Sequence, residues 1–265
     1  MSKRYVLITG AYGGMGKATA EALSEKGFTV FALDKNVGEG NEKIIPVQCD
    51  VTVEESVESA FEKVRAETES LFAIIHFAGV YMLDSLVEMS SQSFERIFKI
   101  NLYGAYLINK TFLPILRDGS RIVITTSELA PLDPLPFTGV YAVTKAALDK
   151  YAYSLSMELQ LKGIKVSVLR AGAVKTDMLG VSTTALDDFC EKTTLYSCNA
   201  ERFKRIVEGV EARNVTPSAV AEKVLSIIAK RKPKFSYNIN RNPLLLMLNV
   251  LPKRIQLWII RIILK

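Results

Sequence analysis

The chain has 265 residues, 49% hydrophobic and 23% charged, a balance that suits one large folded core and excludes a disordered or low-complexity protein. Its net charge of +6 hides an asymmetry: ten of the 34 basic residues follow Glu222 and no acidic residue does, so the remainder carries 24 basic against 28 acidic, a net of −4. An acidic body with a basic tail argues against a nucleic-acid partner.

The elements are read in chain order. Tyr5–Thr9 is an apolar run too short for a secretory signal and reads as a first strand. Gly16–Lys26 has helical periodicity, and Thr29–Leu33 and Ile44–Gln48 read as further strands. Val53–Glu69, Ser91–Leu116 and Tyr141–Lys162 read as helices, separated by the strands Ala73–Phe77, Arg121–Thr125 and Lys165–Arg170. Strands alternating with helices predict an α/β fold, a doubly wound parallel sheet with helices on both faces. One domain is expected over residues 1–229, followed by a basic, apolar tail over 230–265. Cys49, Cys190 and Cys198 are scattered and odd in number, without metal-ligand spacing. They read as free thiols, and a cytoplasmic location is expected.

Gly10, Gly14 and Gly16 follow the first strand and open the first helix. Glycines there let the backbone approach a pyrophosphate resting on the helix N-terminus, with Tyr12 and Met15 in the same loop. Asp34 ends the second strand, where a carboxylate can accept the adenosine ribose hydroxyls and repel a 2′-phosphate. NAD(H) is therefore favoured; NADP(H) stays open because the adjacent Lys35 could accommodate the phosphate. Asp50, with Val51 beside it, either meets the adenine amino group or caps the helix beginning at Val53. Tyr141 and Lys145 are four residues apart on one helical face, so an ammonium sits near a phenol. A nearby positive charge lowers a phenol pKa from its ordinary value of about 10. His76, the only histidine, reads as a structural core residue.

These residues resemble the short-chain dehydrogenase/reductase family over roughly residues 3–179, with Thr9-Gly10-x-x-x-Gly14-x-Gly16, Ser127 and Tyr141-x-x-x-Lys145 as its signature. The resemblance implies a Rossmann-like fold and hydride transfer between a nicotinamide cofactor and a secondary alcohol or ketone. It implies catalytic roles for Asn101, Ser127, Tyr141 and Lys145: Tyr141 exchanges the hydroxyl proton, Ser127 binds the substrate oxygen, Lys145 binds the nicotinamide ribose, and Asn101 anchors a water. Ala78 and Gly79 occupy a cofactor-binding segment, and Val174 and Thr176 the place that contacts the nicotinamide amide. Three departures stand out. His76-Phe77 replaces two asparagines, Ala171 replaces a proline and is expected to loosen the following loop, and Glu128–Pro136 is proline-rich and about one residue longer than usual.

Residues 178–214 are expected to form a mobile cover, with Leu179, Val181, Leu186, Phe189 and Leu195 offering apolar contacts and no anion-binding cluster among them. A lipophilic alcohol or ketone is favoured, such as a steroid, retinoid or fatty compound. Leu244–Leu251 and Ile255–Leu264 are apolar but broken by Pro252-Lys253-Arg254, too short to span a bilayer. Residues 244–265 read as a peripheral membrane contact, a subunit contact in a homo-oligomer, or a lid over the substrate. An NADPH-dependent carbonyl reductase and a non-catalytic nucleotide-binding regulator are the competing functions.

Overall fold

Continuous apolar runs pair in parallel, as strands buried on both faces do. The computed structural model describes residues 4–211 and 214–265, with side chains described throughout except at 177–184 and 208–211. Seven strands form one sheet: β1 (Arg4–Thr9), β2 (Phe28–Asp34), β3 (Ile44–Gln48), β4 (Leu71–His76), β5 (Leu116–Ser127), β6 (Lys165–Ala171) and β7 (Ser236–Ile239). The order is β3-β2-β1-β4-β5-β6-β7, parallel throughout. The chain winds outward from β1 to β3, then returns beside β1 and winds the other way. The order thus reverses between β1 and β4, and in such sheets ligands bind beyond the carboxyl ends of the strands at that point.

The period of two decides which helix covers which face. Val6 and Ile8 of β1 pack with Val123 under α1 (Gly14–Glu25) and α8 (Pro217–Ala229), through Leu23, Val220 and Val224. Leu7 points the other way, among Phe31, Ile74 and Ile122 under α2 (Glu54–Glu67), α4 (Gly104–Phe112) and α5 (Gly139–Leu159). The fold is a Rossmann-like doubly wound sheet in a single domain.

Several boundaries differ from the sequence reading. The helix expected over Ser91–Leu116 is α3 (Ser91–Phe98), a π-helical turn at Lys99–Tyr103, then α4, with β5 beginning at Leu116. The tail expected from residue 230 includes β7, which pairs Val168 with Ser236 and Ala171 with Ile239, so the sheet runs ten residues into it. The expected cover carries α6 (Asp177–Lys192) and α7 (Ser197–Glu211), and the side chains of Leu179 and Val181 lie outside the described residues. The chain ends in α9 (Pro243–Val250) and α10 (Lys253–Leu264). Among the described residues no helix is long and apolar enough to cross a membrane.

Candidate active site

A cleft of about 760 Å³ lies at the switch point, lined by Gly10, Tyr12, Gly14, Met15, Gly16, Asp34, Asp50, Val51, Ala78, Gly79 and Thr176. Its floor depends on missing side chains. Gly10 has φ +66°, and a Cβ there would fall 2.6 Å from the Ala78 nitrogen; one on Gly16 would fall 2.0 Å from the Gly10 carbonyl oxygen. A Cβ on Gly14 would meet Thr176 Cγ2 at 2.7 Å. The loop is therefore a cradle open to a phosphate group at the N-terminus of α1. The Asp34 carboxylate accepts the backbone N–H of Tyr12 at 3.0 Å and of Asn36 at 3.2 Å, which fixes it at the cleft edge. This donor and acceptor set fits a nicotinamide dinucleotide.

Lys35 does not lie free beside Asp34. Its Nζ contacts Asp50 Oδ2 at 2.9 Å, while Asp50 Oδ1 accepts the N–H and hydroxyl of Thr52. Burial pushes the Asp50 carboxyl up, but the bonds from Lys35 and Thr52 outweigh it and hold the group at about 2. The capping reading of Asp50 is corrected: α2 begins at Glu54 behind Val53, whose apolar side chain has no acceptor to cap it, and the Asp50 carboxylate binds Thr52 and Lys35 instead.

Beyond Gly79 the cleft meets the catalytic candidates. Ser127 ends β5, and Tyr141 and Lys145 lie in the first two turns of α5. Lys145 is 6% exposed, its Nζ reaches the Thr125 carbonyl at 3.4 Å, and it stands 5.7 Å from the centre of the Tyr141 ring. Burial drives the Lys145 ammonium down to about 8. It pushes the Tyr141 phenol up to about 12, a hydrogen bond with Ser127 offsetting part of the rise. The lowering of the Tyr141 pKa expected from Lys145 is thus absent in the protein alone. Desolvation disfavours the charged form of each group.

Asn101 sits in the π-helical turn, 1% exposed. Its Oδ1 accepts the Val80 N–H at 2.8 Å, and its Nδ2 donates to the Val80 carbonyl at 3.0 Å and to Thr144 Oγ1 at 3.1 Å. It lies behind the cleft wall and pins the strand-end segment to α5; a Cβ on Gly79 would come 3.2 Å from its Oδ1 and 3.3 Å from Lys145 Nζ.

A second cavity, of about 590 Å³, shares Met15, Gly79 and Thr176 with the nucleotide cleft and has Ser127, Tyr141 and Lys145 on its wall. Val174 lies here too. The rest is mostly apolar, and Leu245, Leu248, Ile259 and Ile260 bring the tail helices into the wall. Among the described lining residues Lys145 is the one cation. The loop after Ser127 straps the tail in place. Glu128 Oε2 accepts the Asn242 N–H at 2.6 Å, the Asp133 N–H donates to Asn249 Oδ1 at 2.6 Å, and Asp133 pairs with Lys253. These contacts hold the tail so that several of its side chains form part of the cavity wall.

A sequence model described as short chain dehydrogenase matches residues 4–187. The chain belongs to the short-chain dehydrogenase family. The family's members are oxidoreductases that use NAD(P)(H). Among relatives, the chain is 34% identical over 193 residues to estradiol 17-beta-dehydrogenase 2 of Mus musculus, covering 68% of this chain and 50% of that one, so it spans about half that relative's length. It is 26% identical over 236 residues to 3-ketodihydrosphingosine reductase of Bacteroides thetaiotaomicron, covering 89% of this chain and 87% of that one. A crystal structure of a short chain dehydrogenase family protein from Francisella tularensis superposes with a TM-score of 0.75 at 20% identity, covering 90% of this chain and 97% of that one.

The departures from the family pattern are resolved locally. His76 Nε2 meets Asn109 Oδ1 at 3.0 Å, Asn109 donates to the Tyr151 hydroxyl at 3.2 Å, and Thr9 Oγ1 accepts the Ala78 N–H at 3.4 Å. Burial holds the His76 imidazole down to about 4, so it is a neutral core group. At Ala171 the carbonyl accepts the Glu128 N–H at 2.9 Å, and the neighbouring Gly172 donates to the Ile239 carbonyl at 3.0 Å. Two features escaped the sequence reading. Arg170 holds Asp149 through two bonds of 2.9 and 2.7 Å, tying β6 to the helix that carries Tyr141. Arg96 and Lys99 line the nucleotide cleft. The first is an ion pair between distant elements and left no local signal; the second were simply two more charges in a helix.

Proposed function

We propose that this chain is an NAD(H)-preferring dehydrogenase that interconverts a secondary alcohol and a ketone on a lipophilic substrate, of hydroxysteroid, retinoid or fatty type. One observation carries the reading: Ser127, Tyr141 and Lys145 line one end of a cavity of about 590 Å³ whose remaining wall is mostly apolar, and that end adjoins the nucleotide cleft. Such a wall takes up an apolar body and admits one polar group at the reacting end. Relatives named for estradiol and for a keto-sphingoid base support the same chemistry.

The bound nicotinamide nucleotide supplies or accepts the hydride. Gly10, Tyr12, Gly14, Met15 and Gly16 would cradle its pyrophosphate, Asp34 its adenosine ribose, and Asp50, Val51 and Ala78 its adenine end. Gly79, Val174 and Thr176 would border the nicotinamide, and Lys145 its ribose. Asp34 would repel a ribose phosphate, and Lys35 is held by Asp50 instead of standing ready to accept one, which supports NAD(H).

In the reducing direction Tyr141 donates its phenolic proton to the substrate oxygen, and Ser127 donates a hydrogen bond to the same atom. A phenol pushed up to about 12 is fully protonated at neutral pH, the form this direction needs. In the oxidising direction Tyr141 must first lose that proton, and Lys145, at about 8, is matched to pass protons near neutral pH. Both amide hydrogens of Asn101 are committed to Val80 and Thr144, so it would hold a water only through an acceptor oxygen. A spectrophotometric screen of hydroxysteroids, retinols, sugars and short alcohols with NAD and NADP tests the reading. Turnover confined to sugars overturns the substrate class, and a preference for NADP overturns the role of Asp34.

A further inference from the structure

Leu244, Met247 and Ile263 line the substrate cavity, yet are 67%, 69% and 48% exposed, so the cavity opens to the outside between α9 and α10. Around that mouth stand large apolar side chains that take no part in the cavity: Val250 at 86%, Leu257 at 71%, Trp258 at 61% and Ile262 at 56% exposure. Turning about 100° per residue along α10 places Arg254, Arg261 and Lys265 in one stripe on this outer face, between Leu257 on one side and Trp258 with Ile262 on the other. Clustered exposed apolar side chains of this kind mark an interaction surface.

We propose that the outer face of α9 and α10 docks on an anionic lipid bilayer, so that the mouth of the substrate cavity opens against the membrane. Charge decides the occupant. No acidic residue follows Glu222, the cationic stripe runs through the exposed apolar side chains, and the Asp133 carboxylate beside α10 is paired with Lys253, a composition suited to a lipid interface with basic side chains on the headgroups. A second copy meeting this face across a two-fold axis would bring like stripes together. Protein interfaces also deplete charge at their centre. α10 has 12 residues and α9 has 8, so the tail lies on the bilayer and does not cross it. The surface stands whatever reaction the enzyme performs; if the substrate is lipophilic, the bilayer is its reservoir and the mouth its entry.

The test uses the full chain and vesicles, with no substrate. Trp258 is the chain's only tryptophan, so tryptophan emission excited at the red edge, where tyrosine does not absorb, reports this face alone. The expected result is a blue shift of its emission and co-sedimentation with phosphatidylcholine/phosphatidylglycerol vesicles. Raising ionic strength should weaken this binding about tenfold or more by screening the cationic stripe. The double variant L257S/I262S, at two exposed positions outside the cavity, should keep its thermal unfolding temperature and lose at least tenfold in vesicle affinity. Unchanged emission at saturating vesicle, equal binding to neutral phosphatidylcholine vesicles, or equal binding by the variant each overturns the proposal. Concentration-dependent dimerisation abolished by the same variant, without vesicle binding by the parent chain, assigns the face to a second copy and overturns it as well.

Discussion

Replacing Lys145 with methionine should make the cofactor-free protein more stable while disabling it. Lys145 is 6% exposed and burial takes its ammonium from the usual 10.5 to about 8. A fall of that size corresponds to about 3 kcal/mol of differential solvation between the unfolded and native states. The sign follows from linkage. The native state binds the proton less tightly, so below about pH 8 the folded protein carries a penalty that the unfolded chain does not, and the penalty disappears as pH rises from about 8 to 10.5. Methionine fills nearly the same volume with no charge, at the loss of one weak contact, the 3.4 Å bond to the Thr125 carbonyl. Lys145→Met should therefore raise the unfolding temperature at pH 7 by about 5–10 °C, at roughly 2–4 °C per kcal/mol for a chain of this size. The gain should shrink toward pH 10. Thermal unfolding followed by circular dichroism across pH 7–10, without nucleotide, measures it. A lower unfolding temperature for the variant at pH 7, or a gain that does not change with pH, would refute the argument that the ammonium is held at a cost for function.

Tyr141→Phe should lower kcat by roughly 10²–10⁴-fold, the usual size of a general acid–base contribution, while dinucleotide binding followed by fluorescence changes little. Asp34→Ala should raise KM for NAD by about tenfold or more, since hydrogen bonds to a charged group contribute about 1.5–3 kcal/mol, and should narrow the preference over NADP. His76 carries its own pH signature. Its folded pKa of about 4 lies below the ordinary 6.5, so stability is complete above about pH 6.5 and falls as pH drops toward 4. His76→Asn should flatten that part of the stability curve, read from unfolding temperatures between pH 4 and 7.

The sheet and the nucleotide cradle were legible because their physics is local. A strand buried on both faces must be an apolar run, as in Val6-Leu7-Ile8, and a phosphate cradle must lack Cβ atoms, as at Gly10 and Gly16. β7 was not legible, because Ser236-Tyr237-Asn238-Ile239 is a four-residue edge strand with two polar side chains in a basic segment. The helix around Asn101 could not be divided by periodicity alone. The electrostatics of the Tyr141 and Lys145 pair were only partly legible. Spacing on a helix shows that the two are neighbours, but not how much water each loses, and in the protein without cofactor that desolvation pushes the phenol up and the ammonium down.

The tail marks where local reasoning stops. Its pattern shows that α10 has more apolar surface than one buried face needs, but a pattern cannot say which part turns inward. That choice is made by residues far away in sequence. Glu128 and Asp133, in the loop leaving Ser127, hold Asn242, Asn249 and Lys253, and so place Ile259 and Ile260 on the cavity and leave Leu257 and Trp258 outside. The same proline-rich loop thus starts at Ser127, ends at Tyr141 and fixes the roof between them. A change in Glu128 or Asp133 should therefore act on substrate selection without touching a catalytic group.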